Sequence, residues 1–224
     1  MASRILSEHF FFSTTPRRRL VTIGKTRPTF TGPFAPPDLS VISEILDGKL
    51  YLSGCEAVTT SSLISRGITA IVCAMTPWEE HRTKVNDRTP STIRKSRVPV
   101  TDSELTDIAA YFDSVTRFID EELKNGGRVL VHCVAGVSRS TSLVLAYLIR
   151  YRGYGLLDAF DLVAEKRKIA WPNDGFYRQL ISYERGLRNK NQPKSDANKS
   201  VLTHTYTTRP RSPGFGGGRS SLFL

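Results

Sequence analysis

The 224-residue sequence has few cysteines and no long apolar run. Its three cysteines, Cys55, Cys73 and Cys133, are too few for the disulfide framework of a small secreted protein. No apolar stretch approaches the roughly 18 to 20 residues that cross a bilayer as a helix. These absences favour a reducing compartment and argue against a transmembrane segment. We therefore expect a cytoplasmic protein, with the nucleus as a second compartment.

Acidic residues are scarce at both ends of the chain. The net charge is +11, but residues 1–37 carry six Lys or Arg against one Glu, and residues 189–224 carry six against one Asp. Residues 38–188 are nearly neutral, with 20 basic and 19 acidic residues. We predict a basic, disordered arm at 1–37, a catalytic domain at 38–188 and a basic, disordered tail at 189–224. The arms are suited to contact acidic partners, a membrane surface or nucleic acid. The Arg- and Ser-containing start leaves mitochondrial targeting as an alternative.

Short apolar runs in the first part of the domain precede amphipathic stretches, which predicts an α/β domain of two or three layers. Asp47-Gly48 between two apolar runs predicts a hairpin. The polar stretch 76–96 is predicted to be a loop, and Thr101 to Glu104 has the spacing of a capping box that opens a helix. Predicted strands are 41–46, 49–52, 69–74, 97–100 and 129–131, and predicted helices are 59–66, 108–123, 140–150, 156–168 and 176–187.

The segment from His132 to Ser140 joins a predicted buried strand to a predicted buried helix. A loop at a helix N-terminus presents unpaired N–H groups and the positive end of the helix dipole, which together bind a dianion. Gly136 allows the sharp turn that such a nest needs. Arg139 offers a planar fork to phosphate oxygens. Cys133 would lie at the floor of the nest, where the positive field favours the thiolate. The alternative is a structural cysteine on a strand.

This segment, His-Cys-Val-Ala-Gly-Val-Ser-Arg-Ser, resembles the His-Cys-x5-Arg-Ser/Thr signature of the cysteine-dependent protein tyrosine phosphatases. It is similar to the atypical dual-specificity branch, and the resemblance covers roughly residues 42–187. The resemblance implies a central mixed sheet of about five strands flanked by helices. It also implies a hydrolase that forms a phosphocysteine intermediate and acts in signalling through protein dephosphorylation, with no cofactor and no metal.

The reaction assigns a role to each residue of the loop. Cys133 would attack phosphorus, and Arg139 would hold the equatorial oxygens. Ser140 would assist hydrolysis of the phosphocysteine, or it is an ordinary hydroxyl at a helix start. The other residues expected to bind phosphate, through their backbone, are Val134, Ala135, Gly136, Val137 and Ser138.

A general acid must protonate the leaving oxygen. Asp102 is our candidate because it follows a predicted strand and lies 31 residues before Cys133, and the resemblance implies an Asp after Val-Pro-Val at about that distance. A carboxylate that caps a helix is the alternative for Asp102. Asp107 is the weaker substitute.

Two further residues have predicted supporting roles. His132 is expected to order the loop through hydrogen bonds, or to be a satisfied buried histidine. Residues 172–176 resemble the Pro-Asn-x-Gly-Phe element of the dual-specificity branch, which implies that Asn173 supports the phosphate loop. Asn173 is also a plausible N-cap for the last helix.

Cys73 is a possible redox partner of Cys133. Its predicted strand should neighbour the one that ends at Cys133, and a disulfide between the two would protect the nucleophile from over-oxidation. The alternative is that Cys73 is a small buried hydrophobic residue.

Val134, Ala135 and Val137 are neutral, which favours a protein phosphomonoester over a substrate with several phosphates. We expect phosphorylated proteins as partners, with hydrolysis of phosphotyrosine and, as a further possibility, of phosphoserine and phosphothreonine. The alternatives are a phosphatase of an RNA 5' end or of a phosphoinositide, and a catalytically silent module that binds phosphate.

Overall fold

The computed structural model describes residues 39–191, which form a mixed five-stranded sheet with flanking helices. The strands are β1 (Ser43–Leu46), β2 (Leu50–Gly54), β3 (Ala70–Cys73), β4 (Arg94–Arg97) and β5 (Val129–Cys133), in the spatial order β1-β2-β5-β3-β4. The helices are α1 (Thr60–Ser65), α2 (Pro77–Thr83), α3 (Phe112–Lys124), α4 (Arg139–Arg152), α5 (Leu156–Lys166) and α6 (Asp174–Asn191). The α/β class with a mixed sheet of five strands is confirmed.

The centre of the sheet delivers the segment that contains Cys133. Strand β5 is fully buried and runs parallel to both β2 and β3, and β2 pairs antiparallel with β1. A strand flanked on both sides is apolar along its length, as residues 129–131 are. Helix α4 follows β5 directly, and its residues 139–149 are all buried. The apolar character of this helix all round is therefore explained by its central place in the core.

The first hairpin has the predicted geometry. Gly48 has a φ of +62°, which a glycine adopts without strain, and the Lys49 N–H donates to the Leu46 carbonyl.

Thr59 caps helix α1, and Gly67, with a φ of +62°, follows the end of that helix, as expected.

The prediction of a loop at 76–96 is wrong in part. Helix α2 begins with a capping box, in which Thr76 Oγ1 accepts from the Glu79 N–H and the Glu79 carboxylate accepts from the Thr76 N–H. Pro77 occupies the first helical position, where its missing N–H costs nothing. The strand predicted at 97–100 lies earlier, at Arg94–Arg97.

No helix begins at Thr101 to Glu104, so that prediction is also wrong. The Thr101 hydroxyl pairs with the hydroxyl of Thr106 at 2.7 Å, and the Asp102 carboxylate bonds to residues outside the segment. Because Thr106 occupies the Thr101 hydroxyl and long-range partners occupy the Asp102 carboxylate, these side chains do not cap a helix here. Helix α3 starts at Phe112 after a short 3₁₀ turn, Ala109–Tyr111.

The two last helices lie within a few residues of their predicted bounds. The predicted arm at 1–37 and nearly all of the predicted tail at 189–224 lie outside the described residues, as does the mitochondrial alternative. Within residues 39–191, no helix has the length and apolar character needed to span a membrane.

Candidate active site

The Cys133 thiol lies at the carboxyl end of β5 and is 1% exposed. Its sulfur accepts two hydrogen bonds, from the Gly136 N–H and from the Ser140 hydroxyl, each at 3.2 Å. Donors directed at sulfur stabilise its anionic form relative to the neutral thiol. The geometry therefore suits a thiolate nucleophile, and it puts Ser140 in direct contact with the sulfur that leaves in the second step.

The loop that follows Cys133 needs a glycine at position 136. Gly136 has a φ of +68°, and a Cβ built on it would lie 2.4 Å from the backbone carbon of Ser53 and 2.6 Å from the nitrogen of Gly54. The end of β2 thus passes against the loop at a distance that no side chain permits. Gly136 is required by both backbone conformation and close packing.

The carbonyl groups of the loop are bonded to residues outside it. Those of Val134 and Val137 accept from the N–H groups of Cys55 and Trp171, at 3.0 and 2.8 Å. Arg167 bonds to the carbonyls of the two residues between them. Its Nη2 donates to the Ala135 carbonyl at 3.0 Å, and its Nε donates to the Gly136 carbonyl at 2.7 Å.

This outward bonding orients the N–H groups of the loop. In a trans peptide the carbonyl and the following N–H point in opposite directions. Fixing the carbonyls of 134–137 on one side therefore turns the N–H groups of 135–138 towards the other. The Gly136 N–H, which donates to Cys133, lies on that inner side. This arrangement is compatible with an anion nest, and phosphate binding by the loop stays a prediction.

Arg167 is a functional residue that the sequence analysis missed. It is 4% exposed, and its Nη1 also donates to the Val41 carbonyl at 3.0 Å. Its side chain links the start of the domain to the phosphate loop. A basic residue at the end of an amphipathic helix is usually exposed to solvent. The local sequence pattern therefore did not indicate that Arg167 bonds to the loop.

Arg139, at the first position of α4, is 4% exposed and is held by other elements. Its Nη1 donates to Glu79 Oε2 at 2.7 Å and to the Val100 carbonyl at 3.1 Å. Its Nε has no hydrogen-bond partner within residues 39–191, and Asp102 Oδ2 lies 3.8 Å from it. A buried guanidinium with an unpaired N–H beside the thiol is suited to bind a phosphate oxygen.

The ion pair between Glu79 and Arg139 shifts both groups towards their charged forms. Burial opposes the charge of Glu79, but its hydrogen bonds from Arg139 and Thr76 hold the pKa of its carboxyl below the usual value. Burial likewise opposes the charge of Arg139, yet Glu79 and the Cys133 sulfur raise the pKa of its guanidinium. The sequence analysis missed Glu79, although Thr76-Pro77-x-Glu79 is a readable capping box.

Asp102 bonds to the loop that contains Ser138, and its role as the general acid stays a prediction. Its Oδ1 accepts from the Ser138 hydroxyl at 2.7 Å and from Asn173 Nδ2 at 2.8 Å. Two donors occupy Oδ1, so the proton of a neutral Asp102 is carried on Oδ2. Asp107, the weaker substitute, instead accepts from the Ala110 N–H at 3.2 Å at the start of the 3₁₀ turn.

Asn173 contacts both the phosphate loop and Asp102. Its backbone N–H donates to the Ser138 hydroxyl at 3.1 Å, and its Oδ1 accepts from the Phe176 N–H at 2.9 Å, which caps α6. Together with its bond to Asp102, these contacts bring the acid, the loop and the helix start to one residue.

His132 is buried, and its burial lowers the pKa of its imidazole to about 4. The ring is therefore uncharged at physiological pH, with one ring nitrogen protonated, and it does not act as a cationic general acid. Its Nδ1 has no hydrogen-bond partner within residues 39–191, so the predicted role in ordering the loop through hydrogen bonds stays a prediction.

Cys73 is opposite His132 in the register of β3 and β5, and it is buried. Burial, together with the nearby carboxylate of Glu80, raises the pKa of its thiol. Cys55, which follows β2, is also buried, and burial raises the pKa of its thiol as well. All three cysteines are free thiols, and the Cys73–Cys133 linkage stays a prediction.

The family model for the dual specificity phosphatase catalytic domain matches residues 50–186. Dual specificity protein phosphatase 14 of Bos taurus is 38% identical over 157 residues, covering 70% of this chain and 76% of the relative. Dual specificity protein phosphatase 1B of Arabidopsis thaliana is 35% identical over 151 residues, covering 66% of this chain and 84% of the relative. The crystal structure of the human tyrosine phosphatase-like serine/threonine/tyrosine-interacting protein gives a TM-score of 0.58 at 35% identity, covering 64% of this chain and 95% of that one.

Proposed function

Because this chain belongs to the dual specificity phosphatase family and is a protein phosphatase, we propose that it hydrolyses phosphotyrosine in proteins through a phosphocysteine on Cys133. Phosphoserine and phosphothreonine are the second class of substrate. The observation that carries this proposal is the Cys133 sulfur itself, which accepts from Gly136 and Ser140 at the floor of the nest beside buried Arg139.

In the first step the Cys133 thiolate attacks phosphorus in line, and a sulfur–phosphorus bond replaces the bond to the leaving oxygen. The N–H groups of 135–138 and Arg139 Nε bind the equatorial oxygens as their charge redistributes. Asp102 gives its Oδ2 proton to the leaving oxygen, which departs as an alcohol or phenol.

In the second step water attacks the phosphocysteine, and the sulfur–phosphorus bond breaks. Asp102, now a carboxylate, accepts a proton from that water. The Ser140 hydroxyl, 3.2 Å from Sγ, stabilises the departing thiolate. Inorganic phosphate is released, and the site returns to its starting protonation.

The protein nature of the substrate agrees with the loop side chains. Val134, Ala135 and Val137 bring no cation to a second phosphate, and the wall of the site offers Glu79 and Asp102, both acidic. A substrate with a single phosphomonoester suits this distribution of charge around the site better than a polyphosphate does.

Turnover by Cys133→Ser tests the nucleophile. We expect loss of at least about three orders of magnitude on an aryl phosphate and on phosphotyrosine peptides, with peptide binding retained. Cys55→Ser, which alters another buried thiol, is the matched control and should keep activity. Acid quenching during turnover should trap labelled phosphate on Cys133. Activity of the Cys133 variant equal to that of the parent would refute the mechanism.

We also propose that the basic arms add affinity for acidic partners in the cytoplasm. The proposal rests on charge alone, because residues 1–37 and most of 189–224 lie outside the described part of the chain. Exchange of their Lys and Arg for Gln should flatten the salt dependence of substrate binding. An unchanged salt dependence would contradict the proposal, and imaging of a tagged protein would distinguish cytoplasm from nucleus and mitochondrion.

A further inference from the structure

The segment that carries Asp102 lies against the start of α6. This segment, residues 101–109, is named the acid loop here. It contains no helix before its last residue, so its position depends on what it touches. Its contacts with α6 are at Glu104, Thr106 and Ala109, and the helix residues involved are Gly175, Arg178 and Gln179.

Gly175 makes the closest of these contacts. A Cβ built on Gly175 would lie 2.0 Å from the carbonyl oxygen of Glu104 and 2.5 Å from its Cα. Gly175 is not among the glycines with positive φ, and glycine in a helix is less favourable than alanine. Neither conformation nor helix propensity explains a glycine here. The close approach of the acid loop does.

Gln179 fixes the far end of the acid loop. Its Nε2 donates to the Thr106 carbonyl, and its Oε1 accepts from the Ala109 N–H, both at 2.9 Å. One amide therefore satisfies two backbone groups of a segment that lacks regular secondary structure. The neighbouring ion pair between Arg178 and Glu104 is 3.2 Å long and more than half exposed on both sides, so it contributes little.

We propose that Gly175 and Gln179 are positioning residues for the general acid, because they set the place of the acid loop and so of Asp102 Oδ2. The inference rests on the proposed role of Asp102. A general acid must come within about 2.6 to 3.2 Å of the oxygen it protonates, and a misplacement of about 1 Å costs up to about a hundredfold in rate. An added Cβ at 175 would displace the loop by an amount of that order.

The test compares Gly175→Ala with Gly186→Ala in the same helix. A Cβ at Gly186 would meet nothing within 4 Å, so each variant adds one methyl group to α6 and only Gly175→Ala meets the acid loop. The substrates are a phosphotyrosine peptide, whose leaving group needs protonation, and an activated aryl phosphate, whose leaving group needs little.

We expect Gly175→Ala to lower kcat for the peptide by at least about tenfold, with a smaller change for the aryl phosphate. Inhibition by inorganic phosphate should be unchanged, since the nest is untouched. Gly186→Ala should match the parent in all of these measurements.

Gln179→Met removes both bonds of the amide at similar volume and gives a second route to the same result. Asp102→Asn is the reference for full loss of the acid. If Asp102→Asn shows the leaving-group dependence but neither Gly175→Ala nor Gln179→Met does, the positioning role is overturned alone. If Asp102→Asn slows both substrates equally, the acid role is overturned and the positioning role with it.

Discussion

The carboxylate of Glu79 accepts a hydrogen bond from Arg139 Nη1 at 2.7 Å, although the two residues are 60 positions apart in the chain. Glu79 belongs to the capping box of α2, and Arg139 opens α4 at the phosphate nest. One side chain thus fixes the start of a helix and the orientation of the residue expected to bind phosphate. The pairing leaves Arg139 Nε free for the substrate.

Glu79→Gln should weaken phosphate binding and turnover. The buried guanidinium loses its anionic partner, and a hydrogen bond to a charged group is worth about 1.5 to 3 kcal/mol, which corresponds to roughly a tenfold to hundredfold loss in kcat/KM. Steady-state kinetics with an aryl phosphate measure this change in kcat/KM. Glu121→Gln, at an exposed position on α3, is the control and should behave as the parent. Equal kcat/KM for Glu79→Gln and the parent would count against this role.

The same pair predicts a pH dependence of stability. Because the folded-state pKa of Glu79 is below its usual value, the pair stabilises the fold above the unfolded-state pKa of about 4.3. That contribution is lost as pH falls through the lower folded-state value. The difference in free energy of unfolding between the parent and Glu79→Gln should therefore be largest near neutral pH and should shrink in acid. Denaturant titrations from pH 3 to pH 7 measure it, and a difference that grows in acid would contradict the sign.

Arg167→Met should disable the phosphate loop without touching the substrate. It leaves the carbonyls of Ala135 and Gly136 without their bonds to Arg167, at a cost of about 1 to 3 kcal/mol for each buried group. We expect kcat/KM to fall and the inhibition constant of inorganic phosphate to rise, each by about tenfold or more. Arg167→Lys should not restore activity, because an ammonium group cannot reproduce the planar fork. Arg178→Met, which breaks only an exposed pair, is the control. Recovery of activity in Arg167→Lys would show that the planar guanidinium is not needed at this position.

Gly136→Ala and Gly153→Ala separate conformation from packing. Both glycines have positive φ, +68° and +72°, but a Cβ at 153 meets nothing within 4 Å, whereas at 136 it meets the backbone of Ser53 at 2.4 Å. Gly153→Ala should cost about 1 to 2 kcal/mol in free energy of unfolding and leave kcat/KM unchanged. Gly136→Ala should cost clearly more and abolish turnover. Equal losses of stability in the two variants would show that packing at Ser53 is unimportant.

Mild peroxide should inactivate the enzyme reversibly, with a Cys73–Cys133 disulfide as the product. The Cys133 sulfur accepts hydrogen bonds from Gly136 and Ser140, so we expect Cys133 to be oxidised first and Cys73 then to attack its sulfenic acid, which forms the disulfide and releases water. Peptide mapping identifies the linkage, and Cys73→Ser should recover less activity on reduction than the parent. Cys55→Ser is the control because Cys55 also lies near Cys133 and raises the same question. A disulfide between Cys55 and Cys133, or the absence of any disulfide to Cys133, would contradict the prediction.

The nucleophile, the nest and the arginine were readable because they are contiguous in the chain. A strand, a tight loop and a helix N-terminus create an anion site by local backbone geometry, so nine residues from His132 to Ser140 suffice to specify it. The hairpin at Asp47-Gly48 was readable for the same reason. The conformation of this turn depends on residues that are adjacent in the sequence.

The acid and its surroundings depended on the tertiary structure. Thr101 to Glu104 has the pattern of a helix start, but the segment forms a bend and a turn instead, with Asp102 bonded to Ser138 and Asn173. Nothing in the local sequence distinguishes those outcomes, because a capping bond of about 1 kcal/mol is outweighed by several long-range contacts.

The sequence by itself predicted the chemistry of this protein, since the expected nucleophile and phosphate-binding groups lie within one local segment. Only the tertiary structure decided how that chemistry is held in place. Glu79 orients the arginine, Arg167 turns the loop carbonyls outward, and Gly175 and Gln179 carry the acid loop. These residues come from distant parts of the chain, and their roles arise from hydrogen bonds and close packing that exist only once the sheet and helices have assembled.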